Sequence, residues 1–168
     1  MLTESIQNAL NDQIQKELYS SYVYLSMAAY FETENLPGAA NWMRIQHQEE
    51  TAHAMKFFEF INDRDGRVQL QAIQQPPLDF GSPLEVFEEA LAHERKVSKS
   101  IHDIFALAVQ ENDYPTQAML QWFINEQVEE EKTAGDIVAQ IRMIQDSPAA
   151  MYMLDQQFAA RQLGAATA

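Results

Sequence analysis

Four stretches of nearly thirty residues each repeat apolar side chains at helical spacing, and their matched length constrains the fold of this chain more than any other feature. The first runs from near Thr3 to Glu34 on Ile6, Leu10, Ile14, Leu18, Tyr22 and Leu25, and Asn35, Pro37 and Gly38 close it. The second continues to about Asp65 on Trp42, Met43, Ile45, Phe57, Phe60 and Ile61, with Gly66 where a helix C-terminal cap belongs. Ser82-Pro83-Leu84-Glu85 opens the third as a capping box with proline at the first helical position. Its apolar face passes through Phe87, Leu91, Val97, Ile101, Ile104 and Phe105. Asn112-Asp113-Tyr114-Pro115 starts the fourth, which carries Met119, Trp122, Phe123, Ile137, Val138, Ile141 and Ile144. Ser147-Pro148 then opens a short fifth helix on Met151, Leu154 and Phe158, before a frayed Ala-rich tail. At 1.5 Å per residue each long helix spans roughly 40–45 Å. Helices so long and so closely matched pack as a bundle.

The connections set the topology. About three residues join the first helix to the second and the third to the fourth, so each pair is an antiparallel hairpin. Between the hairpins, Gly66 to Ser82 form a 17-residue link with Pro76-Pro77 and the extended-looking Val68-Gln69-Leu70-Gln71. At about 3.3 Å per residue such a link reaches roughly 55 Å, enough to cross the whole bundle and let the third helix run parallel to the second. The expected fold is all-α: a four-helix bundle with one long crossover and a short fifth C-terminal helix. Residues 1–168 are taken as a single domain, a size that buries about 70% of the surface its unfolded form exposes.

Composition narrows the function. The chain has no Cys, which removes disulfides and thiolate metal sites and points to a reducing compartment. The start, Met-Leu-Thr-Glu-Ser-Ile, lacks a signal-peptide pattern, and no apolar run approaches the roughly 18 residues of a membrane span. A cytoplasmic protein with no membrane partner is expected. With 11 Lys plus Arg against 25 Asp plus Glu, the charge argues against nucleic acid and for cations.

Hydrophilic residues interrupt the apolar stripes at matched heights: Glu17, then Glu50 and His53, then Glu94, then Gln127 and Glu130. Glu17 to Glu50 is 33 residues and Glu94 to Gln127 is also 33, so both halves read Glu, then Glu/Gln-x-x-His/Glu, offset by 77. Residues three apart share a helix face, so Glu50 and His53 can grip one metal. Two hairpins related by a pseudo-twofold bring the halves together around a pair of metals. A carboxylate on a packed face costs several kcal/mol unless it is paired or metal-bound. No basic partner is visible nearby, since Lys16 and Lys96 sit off the seam. Carboxylates with one imidazole suit Fe or Mn, with Zn as a competitor.

Four motifs, taken as a set, resemble the prokaryotic non-haem ferritins over essentially Leu2 to Leu163: Lys16-Glu17-Leu18-Tyr19-Ser20-Ser21-Tyr22, Glu49-Glu50-Thr51-Ala52-His53-Ala54, His93-Glu94 and Glu126-Gln127-Val128-Glu129-Glu130-Glu131. The resemblance implies iron storage with ferroxidase activity, Fe(II) being oxidised by oxygen or peroxide at a di-iron centre. One iron is expected on Glu17, Glu50 and His53, and a second on Glu50, Glu94 and Glu130. Gln127 matches the family's polar residue on the oxygen side, and Tyr24 its tyrosine that hydrogen-bonds near the centre. A homo-oligomeric shell of 24 subunits is also implied, with the fifth helix packed near the fourfold axes. A third iron is expected on Glu49, Glu126 and Glu129 with Glu130 shared, because these clustered carboxylates repel one another until a cation enters. A solvated acidic face is the plainer alternative there.

Departures separate relatives. Bacterioferritins repeat Glu-x-x-His in the second half and place Met after the first motif's Glu to ligate haem. Here the second half is Gln127-x-x-Glu130 and Thr51 follows Glu50, so no haem is expected. Rubrerythrins carry a Cys-ligated iron domain, impossible without Cys, and the twelve-subunit mini-ferritins lack a fifth helix. His47, His93 and His102 fall outside the repeat and are read as locally hydrogen-bonded or exposed. Trp122 and Tyr24 are read as packing aromatics that could also pass an electron to the centre. The remaining alternatives are a free-standing di-iron carboxylate oxidase without mineral storage and a metal-free helical interaction module.

Overall fold

The structure, a computed structural model, describes residues 2–164; the end of the Ala-rich tail, residues 165–168, lies outside the described residues. It comprises α1 (Glu4–Thr33), α2 (Pro37–Asp63), α3 (Pro83–Gln110), α4 (Tyr114–Ile144) and α5 (Pro148–Ala159), with no strand among the described residues. Thr3, Ser82, Asp113 and Ser147 cap α1, α3, α4 and α5, each side chain accepting from the amide three residues on. No described helix is long and apolar enough to cross a membrane.

α1, α2 and α3 end in the same way. Asn35, Asp65 and Asn112 adopt left-handed φ values of 56°, 55° and 56°. The next amide, of Leu36, Gly66 or Asp113, donates to the carbonyl five residues back at 3.0, 2.9 and 2.9 Å. This is the Schellman arrangement, which Asn and Asp tolerate through their short polar side chains. The left-handed position after α2 is therefore Asp65, and the expected glycine cap sits one residue later. Gly66 is small for another reason: a Cβ there would lie 2.9 Å from the Ile61 carbonyl oxygen.

The crossover is pinned to α1 along its length. Gln7 Oε1 accepts from the Arg67 amide at 2.8 Å, Asn11 Oδ1 from the Gln69 amide at 2.7 Å, and Ser26 Oγ donates to the Pro77 carbonyl at 2.5 Å. Contacts climb from residue 7 to residue 26 of α1 as the link advances, so α3 begins at the far end and runs parallel to α2. The bundle thus has the single-crossover topology.

Two apolar clusters fill the bundle on either side of a polar middle. One gathers Met27, Phe31, Trp42, Met43, Phe87 and Ile141 with Leu154 and Phe158 of α5. The other gathers Ile6, Leu10, Phe57, Ile61, Ile101, Leu120 and Phe123. In α1 the buried stripe passes through Tyr24, Met27 and Phe31, whereas Tyr22 and Leu25 are 45% and 39% exposed. Those two belong to a neighbouring stripe that faces Ile73, Pro76 and Leu78 of the crossover.

α5 lies across the start of α2. Leu36 offers α2 no side-chain cap, and Asp155 of α5 supplies one, accepting from the Gly38 and Ala39 amides at 3.1 and 2.8 Å. A Cβ on Gly38 would stand 1.8 Å from the Asp155 carbonyl oxygen, so only glycine permits the crossing.

Candidate metal centre

The polar middle is where the four helices deliver their interrupted stripes. Glu17 comes from α1, and Glu50 and His53 from one face of α2, and each is 1% exposed. Their ligating atoms all lie within 4.8 Å of one another, with His53 Nδ1 3.7 Å from Glu50 Oε2. Glu17 Oε2, both Glu50 oxygens and His53 Nε2 have no hydrogen-bond partner. Four orphaned polar atoms packed together are an expensive arrangement for a protein interior.

The other half faces them from α3 and α4. Glu94 Oε1 accepts from the Tyr24 hydroxyl, and Glu94 Oε2 from Gln127 Nε2 at 3.1 Å. Glu130 Oε2 accepts from Gln46 Nε2 at 2.9 Å. Glu17 Oε1 accepts from Gln13 Nε2 at 2.7 Å. Glu17 Oε2 is left without a partner, whereas both Glu94 oxygens are hydrogen-bonded.

Electrostatics follows from burial. Desolvation pushes the Glu17 and Glu50 carboxyls well above the usual carboxylate range, with Glu50 reinforcing Glu17 and Glu94 reinforcing Glu50. Burial also raises Glu94, against the hydrogen bonds from Tyr24 and Gln127, and raises Glu130 to about 8 with help from Glu94. The Tyr24 phenol is pushed well up by burial and then by Glu94, so it remains a donor. Burial thus favours the neutral form of each of these carboxyls, a bias that a bound divalent cation opposes.

A profile of the ferritin-like domain family matches residues 7–144. The chain belongs to the ferritin family. It is 44% identical over 161 residues to the bacterial non-heme ferritin of Bacteroides fragilis strain 638R, covering 96% of this chain and 100% of that protein. The bacterial non-heme ferritin of Staphylococcus aureus strain USA300 is 35% identical over 161 residues, covering 96% of this chain and 97% of the relative. Among solved structures, an open-pore ferritin from Archaeoglobus fulgidus is 48% identical and superposes with a TM-score of 0.95, covering 96% of this chain and 100% of that one.

Of the residues that the ferritin resemblance nominates, Glu17, Glu50 and His53 come together as one group able to hold a metal ion. It is the one such group among the described residues. Glu94 and Glu130 face it from α3 and α4, each raised chiefly by burial, with Glu17 adding to Glu94 and Glu94 adding to Glu130. Glu49 is half-buried, Glu126 is half-buried and Glu129 is exposed. Glu126 stands close enough to Glu49 to raise its carboxyl, although burial is the larger cause. Trp122 meets His53 edge-on at 5.4 Å, with Lys56 over its ring. His47 bonds Ser21, and His102 is exposed. His93 bonds Ser20 at 2.7 Å, and burial lowers it to about 4, so it is neutral.

One expectation needs correction. A basic residue does reach the edge of the centre: Arg161, beyond α5, lies 2.7 Å from Glu49 and also donates to Gln46. Spacing gave no hint of it, because it stands 112 positions from Glu49 and the chain after α5 reads as a fraying tail. Gln13 and Gln46, both fully buried, were likewise unassigned; their polarity on a packed stripe was the available signal.

Proposed function

We propose that this ferritin stores iron and has ferroxidase activity, oxidising Fe(II) with oxygen or peroxide at a di-iron centre and keeping the ferric product within a shell of identical chains. The observation that carries this reading is the set of four buried atoms without partners on Glu17, Glu50 and His53, grouped within ligating distance. Iron is the substrate here. One ion is held by Glu17, Glu50 and His53, and the other by Glu50, Glu94 and Glu130. Metal binding favours the charged form of carboxyls that burial otherwise biases towards the neutral one. Tyr24 and Gln127 fix Glu94, and Gln46 fixes Glu130, so the second position is oriented before metal arrives. With Gln127-x-x-Glu130 and Thr51, the residues offer a haem no ligand of the bacterioferritin kind.

A third iron sits on Glu49, Glu126, Glu129 and Glu130, an all-oxygen set that suits Fe(III) leaving the pair. The working assembly is a homo-oligomer of 24 single-domain chains in the cytoplasm, and the docked α5 supports an assembled role. Aerobic Fe(II) addition to the purified protein, followed by size exclusion with iron detection, tests the reading. Many irons per chain should co-elute with a large particle. Fast oxidation without co-eluting iron would instead leave a free-standing oxidase.

A further inference from the structure

Arg161 occupies an unusual position for a residue beyond the last helix. Its guanidinium lies 4.4 Å above the Trp42 ring, donates to the Trp42 carbonyl at 3.3 Å, and reaches Glu49 Oε2 at 2.7 Å. The same nitrogen donates to Gln46 Oε1, and Gln46 passes its own amide hydrogen to Glu130. Asn41 Nδ2 holds the Arg161 carbonyl at 3.2 Å, so the backbone is anchored independently of the side chain. Arg161 is the ion-pair partner of Glu49, while Lys132 pairs with Asp136 and Lys56 covers Trp122.

We propose that Arg161 is a resident cation at Glu49, and that a metal ion entering the site of Glu49, Glu126, Glu129 and Glu130 must displace it. The inference rests on the third-site reading above. A charged guanidinium and a divalent cation cannot both sit on the same carboxylate at low cost, since like charges repel strongly away from bulk water. Displacement also releases Gln46 Oε1, which loosens the amide that holds Glu130 and lets that carboxylate turn to the incoming ion. With its backbone held by Asn41, the arginine can swing out and return without α5 leaving its seat. The third position is thereby kept weak and quickly emptied, while Glu17, Glu50 and His53 are untouched. Arg161 is a positioning residue: it meets neither iron of the pair.

Titrating the intact, metal-free oligomer with Co(II) in a calorimeter, with the cobalt visible spectrum followed in parallel, tests this. The parent should bind two Co(II) per chain tightly and a third weakly. Arg161→Gln should strengthen the third step roughly tenfold, the scale of one charge-assisted hydrogen bond, and leave the first step, on Glu17, Glu50 and His53, unchanged. Arg161→Lys should stay close to the parent, and in a Glu49→Gln background Arg161→Gln should change nothing. A third step that is present in the parent and lost with Glu49→Gln, but indifferent to Arg161→Gln, overturns the competition while sparing the third site. Absence of a third step in both the parent and Arg161→Gln overturns the site itself. If Arg161→Lys strengthens the third step as much as Arg161→Gln does, charge is not the agent and the proposal fails.

Discussion

Tyr24 of α1 donates its hydroxyl hydrogen to Glu94 of α3, across the polar layer that separates the two apolar cores. The phenol also meets Trp42 edge-on at 6.5 Å, so its ring packs while its oxygen orients a metal ligand. Tyr24→Phe keeps the ring and removes only that bond. Metal binding and the first fast oxidation should persist, while the later phase of the oxygen reaction changes; apo stability should fall by about 1 kcal/mol. Stopped-flow traces identical to the parent at every stage would reduce Tyr24 to packing.

Removing a ligand should separate function from fold. Glu50→Ala or His53→Ala should abolish fast Fe(II) oxidation, a loss beyond the roughly 10–100-fold typical of an outer partner. The apo protein should remain helical and become no less stable, because each change deletes orphaned buried atoms. Circular dichroism and oxidation kinetics on the same samples check both halves. Unchanged kinetics in either variant would defeat the ligand assignment.

The apo protein should lose stability as pH rises. Glu17, Glu50, Glu94 and Glu130 all have folded-state values above the ordinary 4.5, Glu130 at about 8. Below 4.5 both folded and unfolded carboxyls are protonated, and the folded state suffers no penalty. Between there and about 8 the unfolded carboxyls ionise while the buried ones resist, which favours unfolding. The apo melting temperature should therefore drop from pH 5 towards pH 8, and Glu50→Gln or bound divalent metal should flatten the slope. A melting temperature that rises across that window would contradict the upward shift of these carboxyls.

The seat of α5 gives a structural prediction. Asp155→Ala removes the only side-chain cap that α2 receives in the described residues and should cost about 1–2 kcal/mol. Gly38→Ala should be worse, since its Cβ would meet the Asp155 backbone at 1.8 Å and force α5 away. Melting curves and light scattering of the oligomer would register both; an unaffected Gly38→Ala would mean that α5 does not need this crossing.

How much of this was legible in the sequence depended on range. Helix starts were clear because Ser82, Asp113 and Ser147 cap within three residues of themselves, and local chemistry is printed locally. The crossover was legible from the length and prolines of residues 66–82, although its anchors Gln7 and Asn11 were not. Tyr22 and Leu25 misled because they continue an apolar stripe that the crossover, rather than the bundle core, half covers. At the site, Glu50 and His53 were visible as a three-residue spacing on one helix face. Arg161 was not, because only tertiary folding of α5 against α2 brings it to Glu49.

Anomalous diffraction from iron-soaked crystals locates the ions at the ligands without relying on turnover. One strong iron peak is expected between Glu17, Glu50 and His53, a second shared by Glu50, Glu94 and Glu130, and loss of both in Glu50→Ala. Iron confined to exposed surface carboxylates, with no peak between Glu17, Glu50 and His53, would contradict it.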